Sequence, residues 1–162
     1  MSLYCAYGSN LNQRQMTRRC PGVKFVGVGK IYGYELCFRG FSDGAYATIV
    51  EKDGAFVPAA LYEISSENEK ALDFYEGYPH QYIKKEIMLE LGDRTVPAMI
   101  YIMDSNKKVG LPSQNYFAKI WDGYCDNGFD TEILKTALEN TFRQFYYVDA
   151  LENPRGSWTF FQ

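Results

Sequence analysis

The sequence predicts an α+β fold, with helices flanking a small, curved mixed β-sheet or barrel. Three observations point there. Strand-like runs dominate the chain up to Met103 and helix-like runs the rest. The order strand, helix, several strands, helix, hairpin, helices does not repeat as βαβα, which disfavours a doubly wound parallel sheet. Glycines at 27, 29 and 33 punctuate a long run rich in Val, Ile, Tyr and Phe, as bends or bulges of a strongly curved sheet would.

The elements follow in order. Leu3 to Ala6 is a short apolar strand stopped by Gly8, and Asn12 to Arg19 reads as a helix ended by Pro21-Gly22. Val23 to Phe38 is the long curved strand. Ala45 to Glu51 and Phe56 to Ile64 read as two strands across the turn Asp53-Gly54. Ser66 with Glu69 three residues on has the spacing of a capping box, opening a helix from Glu67 to Glu76 with Ala71, Leu72 and Tyr75 as its apolar stripe. Gly77 can take the left-handed conformation past its end, and Pro79 prevents continuation. Tyr82 to Leu91 and Thr95 to Met103 pair as a hairpin around Gly92-Asp93. Helices from Ser113 to about Cys125 and Asp130 to about Tyr147 complete a domain of residues 1–148. The aromatic tail 149–162 is expected to pack on that domain or at a dimer interface.

With 46% hydrophobic and 17% aromatic residues, the 162-residue chain can bury a sizeable core. A net charge of −3 with scattered Lys and Arg gives no footprint for nucleic acid. The N-terminus has no basic region followed by an apolar one, and no stretch approaches the roughly 18 apolar residues of a membrane span, so no membrane partner and a cytoplasmic location are expected. Cys5, Cys20, Cys37 and Cys125 are far apart without a C-x-x-C pair and read as reduced, mostly buried thiols. His80 is the single histidine, in a turn-like stretch, so neither a zinc site nor a Ser-His or Cys-His centre has its parts.

Two features could carry chemistry. In Tyr7-Gly8-Ser9-Asn10, Gly8 permits positive φ and close backbone approach, while Ser9 and Asn10 can cap the following helix, whose first N–H groups are unpaired. Such a corner binds anions, but it is also what any strand-to-helix turn needs. Glu76 ends its helix. Glutamates there are usually solvated, yet Glu76 lies one turn beyond Leu72 at the edge of the apolar stripe, crowded by Phe74, Tyr75, Tyr78 and Tyr82. Burial and the negative end of the helix dipole would both raise its pKa toward the range useful for proton transfer.

Three separated motifs, Tyr4-Cys5-Ala6-Tyr7-Gly8-Ser9-Asn10-Leu11, the run ending Glu76-Gly77, and Pro112-Ser113-Gln114-Asn115-Tyr116, resemble in order those of the γ-glutamylcyclotransferases of the AIG2-like superfamily. The similarity extends over residues 3 to 128, including Ala47-Thr48-Ile49, and departs at Tyr78-Pro79 and from Asp130 onward. The resemblance implies a small barrel-like mixed sheet flanked by helices, no metal or organic cofactor, and an assembly that is often a homodimer. It implies that Tyr7, Gly8, Ser9, Asn10 and Leu11, with Tyr82, Tyr101 and Tyr116, surround a small γ-glutamyl substrate, and that Glu76 is the catalytic acid/base. The implied reaction is cyclisation of a γ-glutamyl dipeptide or amine to 5-oxoproline, with release of the amino acid or amine. Two other readings stay open: removal of a γ-glutamyl group from a biosynthetic intermediate or γ-glutamylamine, and a non-catalytic ligand-binding protein on the same fold.

Overall fold

The apolar run at the N-terminus forms strand β1 (Ser2–Ala6), and the long Val/Ile/Tyr/Phe segment forms β2 (Lys24–Arg39). They join β3 (Tyr46–Ile64), β4 (Ile83–Leu91) and β5 (Arg94–Ile102) in a closed barrel of order β1-β3-β2-β4-β5. The computed structural model describes residues 1–41, 44–104, 106–152 and 154–155. Neighbouring strands are antiparallel except at the closing seam, where β1 and β5 run parallel with Tyr4 opposite Met99.

The region around Asp53-Gly54 differs from expectation. It is not a hairpin turn between two strands but a bend within the single strand β3. Both halves of β3 pair with the same partner, Tyr46–Glu51 with Tyr34–Arg39 and Phe56–Glu63 with Lys24–Tyr32, and the register shifts between Tyr32 and Tyr34. Gly33 and Gly54, both at φ +81°, take the conformation that this bend demands. The hairpin of β4 and β5 does close through Gly92-Asp93, with Leu91 opposite Arg94.

Among the described residues, four α-helices pack around the barrel: α1 (Gln13–Arg19), α2 (Ser66–Glu76), α3 (Gln114–Asp126) and α4 (Thr131–Glu152). The capping box of α2 sits one residue earlier than the Ser66/Glu69 spacing suggested. Ser65 Oγ accepts from Asn68 N–H at 3.1 Å while Asn68 Oδ1 accepts from Ser65 N–H at 3.0 Å. Asn68 suits this because its amide also donates to the Pro21 carbonyl at 3.2 Å, tying α2 to the end of α1. Of the expected stripe, Leu72 is fully buried whereas Tyr75 faces outward, its ring 4.7 Å from the Arg19 guanidinium carbon. Helix α4 continues past Val148 to Glu152, and the tail aromatics Trp158, Phe160 and Phe161 lie outside the described residues.

The core fills the barrel with Phe38, Ile31, Leu61, Tyr62, Leu89 and Ile100, and continues under α3 through Leu11, Ile120 and Tyr124. Each such buried side chain contributes about 1.5–3 kcal/mol relative to an exposed one. Among the described residues, no helix is long and apolar enough to cross a membrane.

Candidate active site

After β1 the chain turns at Gly8 into a short 3-10 turn, Ser9–Leu11, and then through Asn12 into α1. Gly8 has φ −113° and so does not use the left-handed region expected for it. What distinguishes the position is its surroundings: a Cβ there would stand 3.5 Å from Ala47 Cβ and 3.6 Å from Tyr116 Oη. The turn's own bonds run from Leu11 N–H to Gly8 and from Asn12 N–H to Ser9. The N–H groups of Ser9 and Asn10, at its head, therefore have no partner within the turn.

Asn10 is the hub of the site. Buried, it donates from Nδ2 to Tyr4 Oη at 3.0 Å and reaches Glu76 Oε1 at 3.5 Å. Its Oδ1 accepts from Arg19 Nη1 at 2.7 Å, and its carbonyl accepts from Tyr62 Oη at 3.2 Å. The amide is thereby oriented from both ends. A guanidinium can only donate, so it holds Oδ1 toward Arg19 and Nδ2 toward the carboxylate.

Glu76 is the last residue of α2, and Gly77 behind it, at φ +62°, turns the chain away through N–H bonds to Asp73 and Phe74. Burial raises the Glu76 pKa from 4.5 to about 7, with the Arg19 cation opposing the rise. Burial also lifts the hydroxyls of Tyr4, Tyr7, Tyr82 and Tyr116 above the ordinary tyrosine value, so they stay neutral. It likewise raises the Cys5 thiol to about 12 and that of Cys37 to about 11, and neither of these lines the site.

The tyrosines are scaffold as well as lining. Tyr82 Oη donates to the Ala47 carbonyl at 2.7 Å, and Tyr116 Oη accepts from Ala47 N–H at 3.0 Å, so the two clasp one residue of β3. Tyr7 Oη donates to the Tyr101 carbonyl at 2.6 Å. Tyr101 Oη donates to Asp73 Oδ1 at 2.6 Å, and Lys84 Nζ holds the same carboxylate at 2.8 Å. Tyr4 and Tyr116 accept through their oxygens, which leaves each hydroxyl proton available to donate.

These groups surround one cavity of about 570 Å³. It brings together Tyr7, Gly8, Ser9, Asn10, Glu76, Tyr82, Tyr101 and Tyr116, and places Leu11 elsewhere. Leu11 is fully buried behind the turn, against Gly123 of α3, because an apolar side chain gains more there than beside the polar cavity. Sequence reasoning missed Tyr4, Arg19, Gln81, Asn115 and Lys119, all of which line the cavity. A signal existed for Asn115, which stands in the Pro112-to-Tyr116 run, and for Tyr4, at the head of the first motif. Among the described residues, Glu76 is the one acidic side chain lining the cavity, and no cluster of three or more His, Cys, Asp or Glu is placed to hold a metal ion.

Residues 4–121 match the model of a family described as Gamma-glutamyl cyclotransferase, AIG2-like. The chain is 29% identical over 139 residues to a Mus musculus protein named Gamma-glutamylcyclotransferase, covering 80% of this chain and 73% of that one. It is 27% identical over 139 residues to a Homo sapiens protein of the same name, with the same shares covered. A solved structure named Gamma-glutamyl cyclotransferase superposes with a TM-score of 0.76 at 26% identity, over 84% of this chain and 85% of that one.

Proposed function

The chain belongs to the Gamma-glutamyl cyclotransferase, AIG2-like family, and from that premise we propose that it cyclises the γ-glutamyl group of small γ-glutamyl dipeptides or amines to 5-oxoproline, releasing the amino acid or amine. One observation carries this reading. The Glu76 carboxyl is partly buried beside Asn10 of the glycine turn, with its pKa raised to about 7, where a carboxylate can both take and return a proton at neutral pH.

The reaction asks little of the protein because nucleophile and electrophile belong to one molecule. The substrate α-amine attacks its own γ-carbonyl carbon, Cδ; a Cδ–N bond to the α-nitrogen forms, and the Cδ–N bond to the leaving amine breaks. The α-ammonium starts with three hydrogens and the lactam nitrogen keeps one, so two protons pass to the leaving nitrogen, which departs as an ammonium. Glu76 takes a proton from the α-ammonium to free its lone pair and delivers one to the leaving nitrogen. Holding the chain folded on itself supplies the effective molarity of an intramolecular reaction. The N–H groups of Ser9 and Asn10, which have no partner within the turn, and the hydroxyl proton of Tyr116 are donors that could serve the tetrahedral oxyanion or the substrate α-carboxylate.

The test is 5-oxoproline release from a panel of γ-glutamyl dipeptides and amines, run beside Glu76→Gln. The variant keeps the shape and the Asn10 neighbour but cannot carry the proton. Turnover is expected to fall by about 10²–10⁴-fold with an unchanged circular dichroism spectrum. Wild-type turnover in the variant would remove Glu76 from the mechanism.

A further inference from the structure

The cavity changes character from its inner end to its mouth. Its inner tyrosines, Tyr4, Tyr7, Tyr82 and Tyr101, are 2–6% exposed. At the mouth stand Phe41, Tyr46, Phe74 and Tyr75, which are 61%, 40%, 83% and 55% exposed. Four aromatic rings left in water around one opening are costly unless something covers them. Some are held in place: Tyr75 lies under the Arg19 guanidinium at 4.7 Å, and Tyr46 meets Tyr116 edge-on at 5.1 Å. Phe74 packs edge-on against Tyr75 at 5.9 Å. Phe74 and Tyr75 immediately precede Glu76 on the last turn of α2, so one helical turn carries both the acid and the apolar lip.

This rests on the cyclotransferase reading. With the α-amine beside Glu76 at the inner end, the substituent on the departing nitrogen points out through the mouth. The charged side chains lining the cavity are two cations, Arg19 and Lys119, and one acid, Glu76, among the described residues. An aromatic lip can also attract a cation to its ring faces, but the two cations Arg19 and Lys119 oppose that and favour a carboxylate. Once Glu76 has taken a proton, the two cations face the two carboxylates of a γ-glutamyl amino acid, whereas a γ-glutamylamine has only one. We propose that the mouth is a leaving-group subsite, in which Phe74 and its neighbouring rings select a large apolar side chain and Lys119 selects the carboxylate of a departing α-amino acid.

The test compares γ-glutamylphenylalanine, γ-glutamylalanine and γ-glutamylphenethylamine, which keeps the ring and lacks the carboxylate. By kcat/KM, phenylalanine is expected to exceed alanine by about tenfold or more, the size of effect a well-covered ring can have. It should exceed phenethylamine by about fivefold. Phe74→Ala should lower the phenylalanine compound by about tenfold and the alanine compound by less than about threefold, mainly through KM. Lys119→Gln should erase the gap between phenylalanine and phenethylamine. Both changes are at exposed positions, so the fold is not at stake. Equal use of phenylalanine and alanine, or equal losses on every compound in Phe74→Ala, overturns the subsite. Calorimetric binding of the three compounds to Glu76→Gln separates this from the chemistry. No 5-oxoproline from any compound with the binding order intact removes cyclisation and supports the subsite, and no binding of any compound overturns both.

Discussion

At the scale of single residues, Glu76 costs the fold stability that a glutamine would return, and the cost depends on pH. Its folded pKa is about 7 against an ordinary 4.5. Between those values the folded state holds more proton than the unfolded one, so unfolding free energy falls as pH rises through that window. Below 4.5 the group is neutral in both states and costs nothing, and above 7 it is ionised in both and the full penalty applies. Each pH unit of the window is worth about 1.4 kcal/mol, and partial solvent access reduces the total. Glu76→Gln is therefore expected to match wild type near pH 4.5 and to exceed it by about 1–3 kcal/mol at pH 8, measured by urea unfolding at a series of pH values. Curves that stay parallel from pH 4.5 to 8 would mean a solvated carboxylate. Glu76 was legible because it ends an apolar stripe beside a glycine, and Asn10 because it follows the Tyr-Gly-Ser run. Arg19 was not. Arg18 and Arg19 stand side by side at the end of α1, and only the rotation of that helix decides that Arg19 turns to Asn10 and Tyr75.

At the scale of elements, several caps were readable because they depend on local chemistry: Ser113 and Gly77 each do what their types do at helix ends. Ser9 and Asn10, expected to cap the helix after the glycine turn, do not: a 3-10 turn without a side-chain cap intervenes, and Asn12 caps α1 instead. The slip from Ser66/Glu69 to Ser65/Asn68 came from a tertiary bond, Asn68 to Pro21, which no local pattern contains. The same holds for β3, where a turn-like Asp-Gly pair bends a strand because β2 pairs with both halves. Gly123 is a further case: inside α3 it looks like a flaw in the helix, yet the 3-10 turn rests on it. A Cβ at this position would lie 2.6 Å from Leu11 Cβ and 3.0 Å from Asn12 N. Alanine would gain up to about 1 kcal/mol of helix propensity, but pushing backbone aside costs about 1–3 kcal/mol or more. Gly123→Ala should therefore lower stability by about 1–2 kcal/mol. Because Asn10 adjoins Leu11, activity should fall as well. A higher melting temperature with full activity would show that the turn does not depend on this close approach.

At the scale of the whole molecule, the site exists because the barrel closes. Tyr4 and Tyr101 come from β1 and β5, whose parallel seam brings their rings within 5.9 Å, and neither would meet Glu76 in an open sheet. The curved sheet could be foreseen from glycines at 27, 29 and 33, but which glycine permits closure could not, since that depends on the strand crossing over it. The structure separates them. A Cβ on Gly29 would lie 2.2 Å from the Glu90 carbonyl oxygen and 3.1 Å from its carbon, where β4 passes β2. A Cβ on Gly27 would meet nothing nearer than the Leu91 Cδ1 methyl at 3.4 Å. Backbone of a paired strand cannot step aside as a leucine tip can. Neither glycine has positive φ, so the contrast is one of space alone. Gly27→Ala is expected to stay within about 1 kcal/mol of wild type, helped by the lower entropy of its unfolded chain. Gly29→Ala is expected to lose more than about 3 kcal/mol, beyond the usual range for a single change, and to lose cyclotransferase turnover together with the cooperative thermal transition. Equal stability of the two variants in thermal and urea unfolding would mean that β2 and β4 do not cross this closely, and that something other than this seam holds Tyr4, Tyr101 and Glu76 around one cavity.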